Sequence, residues 1–196
     1  ALQHIALLEK ESFYDIKVSM KSSDLSLMLE AYRKLGQLCK YPFHIGVTEA
    51  GTLKQGTIKS AVGIGALLAE GLGDTIRVSL PGNPLAEIPV AKEILKSLGL
   101  KREGIEYIVC PTCGRTQIDV AGIAALLEQE LERLAIKKPL KVAVMGCVVN
   151  GPGEARQADI GIAGGKGEAL LFVKGQTVAK YPADQIVDIL LKKICD

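Results

Sequence analysis

Histidine is scarce in this chain. His4 and His44 are the only two, and both fall in the half that holds just one of the five cysteines. That removes the ready nitrogen ligands of a Cys/His zinc site. Neither sign of charge is in excess: 24 Lys and Arg stand against 22 Asp and Glu, for a formal net charge of +2. The balance leaves no electrostatic footprint for nucleic acid or for an acidic membrane surface. No apolar run approaches the roughly 18 residues a membrane span needs, because Gly, Lys and Glu interrupt each candidate. The opening "ALQHIALLEKESFYD" has no basic head and no cleavage-site pattern, so a secretory signal is not expected and a cytoplasmic location is. It also lacks a methionine and reads as the inside of a helix, which suggests a processed chain or a fragment. The cysteines Cys39, Cys110, Cys113, Cys147 and Cys195 are odd in number and unevenly spaced. With no export signal, they argue against a disulfide framework and for metal binding or free buried thiols.

What is present is a change of pattern near residue 101. Before it, strand-like runs alternate with helix-like ones. "YDIKVSM" (14–20), "FHIGV" (43–47) and "TIRVSL" (75–80) are each followed by a helical pattern, the first with Leu25, Met28, Leu29, Tyr32 and Leu35 at helical spacing and Ser or Asp available as cap. The helices that follow the second and third strands are expected over 58–73 and 85–99. Repeated strand–helix units imply parallel strands with helices outside. In such folds chemistry collects at the C-terminal ends of strands, where this sequence places Lys21, Glu49, Arg77 and Ser79. After residue 101 the order becomes mixed: a strand running into "CPTCGRT", an amphipathic helix, a buried strand "PLKVAVMGCVV", short strands with glycine turns, and a closing helix. The expected organisation is therefore an α/β domain over 1–101 and an α+β domain over 102–196. "AGGKGE" lacks the Walker spacing and reads as a turn.

The cysteines of the second half carry the chemistry. "CPTC" at 110–113 offers two thiolates, and Cys113 is expected to open a helix, whose N-terminus favours the thiolate. Cys147 adds a third thiol in "VMGCVVNGPGE", among glycines that let backbone approach a bulky group. Tetrahedral structural zinc wants a second knuckle or a pair of histidines, so three thiols suit an iron–sulfur cluster better. Glu154 is the candidate fourth ligand, since a carboxylate is weaker on cluster iron and more easily displaced. Alternatives stay open: Glu154 as a surface glutamate, Cys39 or Cys195 as fourth ligand, and Cys-x-x-Cys as a redox pair without its usual βαβ context. Cys39 is otherwise expected on the apolar stripe of its helix, in the core, and Cys195 at the surface.

"FHIGVTEAGT", "GTIKSAVGIGALLAEGLGDTIRVSL", "CPTCGRTQID" and "KVAVMGCVVNGPGEARQADIGIAGGKGE" closely resemble the bacterial 4-hydroxy-3-methylbut-2-enyl diphosphate synthase family of non-mevalonate isoprenoid synthesis, over essentially the whole chain. The resemblance implies the last three β/α units of a TIM-type barrel, followed by a domain similar to those of sulfite and nitrite reductases. It implies a [4Fe–4S] cluster on Cys110, Cys113, Cys147 and Glu154, with Asn150 nearby. It further implies that Lys21, Ser79 and, more weakly, Arg77 hold the diphosphate of 2-C-methyl-D-erythritol 2,4-cyclodiphosphate, with Glu49 as acid/base. Flavodoxin or ferredoxin would supply two electrons to a homodimer. Members carry a full eight-stranded barrel, so a three-unit piece would expose open edges and an apolar barrel interior, and the 196 residues alone would be an incomplete enzyme. The competing readings are a zinc-stabilised structural module or a bare electron-transfer domain. Neither needs anion-binding groups on strand ends.

Overall fold

A computed structural model of the chain describes residues 1–149, 153 and 157–195. It divides into two compact units, Ala1–Lys101 and Arg102–Asp196. Among the described residues no helix is long and apolar enough to cross a membrane.

The first unit opens with α1 (Leu2–Lys10) and continues through α2 (Leu25–Gly36), β1 (His44–Ile45), α3 (Leu53–Ala69), β2 (Thr75–Ile76) and α4 (Glu87–Ser97). β1 and β2 pair in parallel, and Val18 makes a parallel bridge to Phe43 on the other side. The three strands are thus parallel but much shorter than their apolar runs predicted. The physical reason in the first strand is a side chain. The fully buried Tyr32 of α2 accepts from the Met20 N–H at 2.9 Å and donates to the His44 carbonyl at 2.7 Å, so a hydroxyl occupies the place of the next ladder bond. Met28, Tyr32 and Leu35 of α2 and Ile64 and Leu67 of α3 pack on Val18, Phe43, Ile45, Val47 and Val78 as one core.

Helix ends follow local chemistry. Asp24 accepts from Leu27 N–H and starts α2. Thr52 accepts from Gln55 N–H, so α3 begins earlier than its apolar pattern indicated. Gly71, at φ 76°, ends it: Gly71 N–H bonds the Leu68 carbonyl and Leu72 N–H the Leu67 carbonyl, a Schellman closure that glycine accommodates without strain. Cys39 lies beyond α2, half-buried at the core's edge, and not on the helix as its spacing suggested.

The second unit contains β3 (Ile105–Val109), α5 (Val120–Arg133), β4 (Leu140–Met145), β5 (Ile160–Gly164), β6 (Glu168–Val173), β7 (Gln176–Pro182) and α6 (Ile186–Cys195). The strands form one sheet in chain order, with β3–β4 and β4–β5 parallel and the last two pairs antiparallel. Val120, Leu127 and Leu131 of α5 and Ile186 and Leu190 of α6 cover one face through Val142, Val144, Ile160, Ile162 and Leu171. The other face is built from small residues, Ala143 and Ala163, with Met145 and Phe172. "AGGKGE" joins β5 to β6 as a hairpin turn, with Gly165 N–H on the Glu168 carbonyl.

Ser60 is the buried polar exception. It is fully buried in α3, and its hydroxyl has no hydrogen-bond partner among the described residues. An unmet hydroxyl costs about 1–3 kcal/mol, and alanine is the better helix former. Ser60→Ala is therefore expected to raise the thermal unfolding midpoint by a few degrees, read by scanning calorimetry. An unchanged or lower midpoint would mean that the hydroxyl has a partner in solution.

Candidate functional site

The three parallel segments of the first unit present two unlike faces. Ile16, Val18, Met20, Phe43, Ile45, Val47, Ile76, Val78 and Leu80 belong to the core under the helices. The alternate residues, on the opposite face, are Lys17, Ser19 and Lys21, then His44, Gly46 and Thr48, then Thr75, Arg77 and Ser79. None of these nine is an apolar side chain, which corrects the expectation of an exposed apolar barrel interior. The face is cationic. Burial holds His44 below the usual histidine range, and Lys17, Lys21 and Arg77 push it the same way. All three cations thus reach the same imidazole, which Thr75 Oγ1 meets at Nδ1 at 2.8 Å.

The residues singled out from the sequence sit at the C-terminal ends of these segments. Lys21, Glu49 and Arg77 are exposed and Ser79 is half-buried. Arg77 Nε donates to Ser79 Oγ at 2.9 Å. That contact uses the serine as acceptor and leaves its O–H and the remaining guanidinium N–H groups to donate elsewhere. Among the described residues, Lys21 and Glu49 make no hydrogen bond or ion pair. Glu49 adopts φ 50°, a left-handed conformation rare for a residue with a Cβ and frequent where a turn must aim a functional group. The Lys21 ammonium, the Ser79 hydroxyl and the remaining Arg77 N–H groups, with an unpaired carboxylate at a neighbouring strand end, suit a phosphorylated ligand whose reaction moves a proton.

In the second unit the thiols gather around the ends of β3 and β4. Cys110 directly follows β3, and its N–H donates to the Val144 carbonyl at 3.0 Å, extending the ladder by one bond. Cys147 follows β4 after Gly146 and is buried. Cys113 is exposed on a closed turn, with its N–H on Thr116 Oγ1 and the Thr116 N–H on its carbonyl, both at 3.0 Å. Gln117 N–H then bonds the Gly146 carbonyl at 2.8 Å. A Cβ on Gly146 would come within 2.9 Å of the Thr116 methyl, so this glycine lets the Cys113 turn lie against the strand that leads to Cys147.

Cys113 does not open a helix, since α5 begins only at Val120. Its thiol is nonetheless more acidic than usual. The Arg115 N–H lowers it most, then the Arg115 guanidinium, with a further contribution from the Thr116 hydroxyl. Cys113 and then Cys147 hold the guanidinium in its charged form, so both sulfurs lie within electrostatic reach of one cation. Among the described residues no three His, Cys, Asp or Glu side chains already form a metal cage. The donor set fits an iron–sulfur group by its chemistry: two thiols just past adjoining strand ends and a third on the turn that follows the first, already favoured as thiolate. Glu154 and Asn150 lie outside the described residues. Cys195 is exposed at the end of α6.

Arg115, His44 and Lys17 were missed from the sequence. Lys17 and His44 had a signal, the polar alternation K-x-S-x-K, H-x-G-x-T and T-x-R-x-S in the three strands, whereas Arg115, in the turn after Cys113, belongs to no such pattern. In metal-free protein, Arg115→Gln keeps the backbone N–H but removes the guanidinium, and is expected to move the Cys113 thiol part of the way back up and slow its alkylation by iodoacetamide near neutral pH, where the thiolate fraction is rate-limiting. An unchanged alkylation rate, followed by peptide mass spectrometry, would remove the Arg115 guanidinium from the account and leave its backbone N–H.

Comparison with known proteins agrees with both units. Residues 1–92 match the model of the GcpE TIM-barrel domain, and residues 106–196 that of the GcpE protein C-terminal domain. A Clostridium perfringens protein named 4-hydroxy-3-methylbut-2-en-1-yl diphosphate synthase (flavodoxin) is 61% identical over 194 residues, 99% of this chain and 55% of the relative. Proteins of the same name from Ruminiclostridium cellulolyticum and Fusobacterium nucleatum are each 58% identical over 196 residues, all of this chain and 55% of each relative. The chain spans about half the length of the curated relatives it matches. With one family's two domain models matched in order along it, the chain belongs to the GcpE family.

Proposed function

We propose that the protein to which this chain contributes is a 4-hydroxy-3-methylbut-2-enyl diphosphate synthase of isoprenoid biosynthesis. It opens the ring of 2-C-methyl-D-erythritol 2,4-cyclodiphosphate, taking up two electrons and two protons and releasing one water. Residues 1–101 would be the last three β/α units of a TIM-type barrel, and 102–196 a cluster domain of the kind found in sulfite and nitrite reductases. The observation that carries the reading is the set of donors at parallel strand ends, the Lys21 ammonium, the Ser79 hydroxyl and the Arg77 N–H groups left over from the Arg77–Ser79 contact, together with Glu49, which is unpaired among the described residues.

In this reading Lys21 and Arg77 neutralise the diphosphate and the Ser79 hydroxyl fixes its orientation, in charge-assisted hydrogen bonds that are short and directional. Glu49 gives a proton to, or takes one from, the oxygen leaving or remaining at the opened carbon. A [4Fe–4S] cluster, held by Cys110, Cys113, Cys147 and Glu154 with Asn150 beside it, supplies electrons and Lewis acidity when bound. The Arg115 guanidinium lowers the cost of gathering thiolates there. The relatives' names carry flavodoxin, which we take as the electron donor, with ferredoxin as the equivalent. A cytoplasmic homodimer completes the proposal.

Glu49→Gln in the complete holoenzyme is expected to bind the cyclodiphosphate normally and lose ~10²–10⁴ in kcat, measured as anaerobic product formation with a chemical reductant. Near-normal turnover would exclude Glu49 as the acid/base. Cys147→Ser is expected to abolish most bound iron and sulfide, while Glu154→Ala keeps the cluster in a more labile form. Anaerobic metal analysis decides this, and one zinc per chain without sulfide would favour the structural-module reading instead.

A further inference from the structure

Lys21 is held in place by side chains from two helices where a regular sheet would hold it by its ladder. The parallel pairing begins normally, with Val18 N–H on the Pro42 carbonyl at 2.9 Å and His44 N–H on the Val18 carbonyl at 2.8 Å. In a parallel ladder the bond after these runs from the Met20 N–H to the His44 carbonyl. Here the Tyr32 hydroxyl stands between the two groups, accepting from Met20 N at 2.9 Å and donating to His44 O at 2.7 Å. Its ring is fully buried and packs edge-on against Phe43, with centroids 5.6 Å apart, so the hydroxyl has little freedom. Ser19 Oγ supplies a second donor to the same carbonyl at 2.8 Å.

On the other side of Lys21 the chain is tied again. Thr48 N–H donates to the Ser22 carbonyl at 3.4 Å, and Asp24 N–H to Ser22 Oγ at 3.1 Å. Lys59, from α3, reaches across to the Ser23 carbonyl at 2.7 Å. Among the described residues Lys59 makes no ion pair, so its ammonium is committed to a neutral carbonyl. A flexible four-carbon stem is ordered here for one contact, which is costly for a surface lysine unless the contact fixes something. What it fixes is the segment between the end of the first strand and the Asp24 cap of α2.

We propose that Tyr32 and Lys59 form a clamp that positions Lys21, and that this clamp sets how tightly the protein holds its phosphate-bearing ligand. Tyr32 fixes the residue before Lys21 and Lys59 the second residue after it, so the ammonium is presented on the polar face at a fixed height relative to Arg77 and Ser79. Neither residue touches the ligand, and both act through Lys21. The inference rests on the reading of Lys21 as a phosphate contact.

The test uses the complete holoenzyme without reductant, with the dissociation constant of the cyclodiphosphate measured by calorimetry. Lys59→Met keeps the aliphatic stem and removes the donor, and Tyr32→Phe keeps the ring and removes the hydroxyl. Each is expected to weaken binding about tenfold, the equivalent of one lost hydrogen bond in the site, while Lys59→Arg, still a donor, binds nearly normally. In a Lys21→Ala background neither substitution should weaken binding further, because the group being positioned is gone. Should Tyr32→Phe lower the unfolding midpoint too far to assay, Lys59→Met, at a half-buried site, decides alone. Normal binding by Lys59→Met while Lys21→Ala binds poorly would overturn the clamp. So would an equal loss in the presence and absence of Lys21, which would mark a general structural role. Unchanged binding by Lys21→Ala would overturn the phosphate reading of Lys21, and the clamp with it.

Discussion

Parallel strand pairing is the constraint from which both candidate sites follow. Parallel strands run the same way, so their C-terminal ends emerge on one edge, and the loops that leave them are neighbours however far apart they lie in sequence. In the first unit, the Val18–Phe43 bridge and the His44–Thr75 and Ile45–Ile76 pairs bring the segments ending in Lys21, Glu49 and Ser79 side by side. In the second, β3 and β4 pair from Ile105–Leu140 to Val109–Val144, which delivers Cys110 and Cys147 to one edge. An antiparallel pairing of the same segments would send these residues to opposite ends.

The polar face of the first unit has an energetic consequence. The interior of an ordinary β/α barrel is filled by layers of branched apolar side chains. Here the corresponding residues are hydroxyls, glycine, histidine and three cations, and among the described residues the Arg77 guanidinium is bonded only to Ser79. No carboxylate partner of Lys21 or Arg77 is found among the described residues. His44 beside them is held below the usual histidine range, first by burial and then by Lys17, Lys21 and Arg77. Such a face contributes less to folding than an apolar one and gains most when a multivalent anion neutralises it. The stability lost in the sheet face is regained on the helix side, through Tyr32, Ile45, Ile64 and Leu67, all fully buried.

The thiol region is arranged on the same plan of rigid strands and short, tied loops. The Cys113–Thr116 turn closes on itself through two hydrogen bonds and is anchored to Gly146 through Gln117. Arg115 is consequently held next to one exposed sulfur and within electrostatic reach of a buried one. A guanidinium in that place compensates the negative charge that accumulates when thiolates converge, a role a helix N-terminus often fills and that α5 starts too late in the chain to fill here.

The alternation of strand and helix patterns, the change near residue 101 and the placement of Lys21, Glu49, Arg77, Ser79, Cys110 and Cys147 at or just beyond strand ends were legible in the sequence alone. Period and residue type are local properties, and apolar spacing, caps and thiols declare themselves within a few residues. Tertiary structure alone decided how far the strands extend, because Tyr32 interrupts the first ladder from a helix 12 residues away in sequence. It also decided which cations share a face, since Lys17, Lys21 and Arg77 meet at His44 only once three segments lie in register. The acidity of Cys113 was expected from a helix end and arises instead from Arg115, because the turn closes before a helix begins. Each of these depends on contacts between distant segments, and a linear pattern holds no record of which distant side chain arrives where.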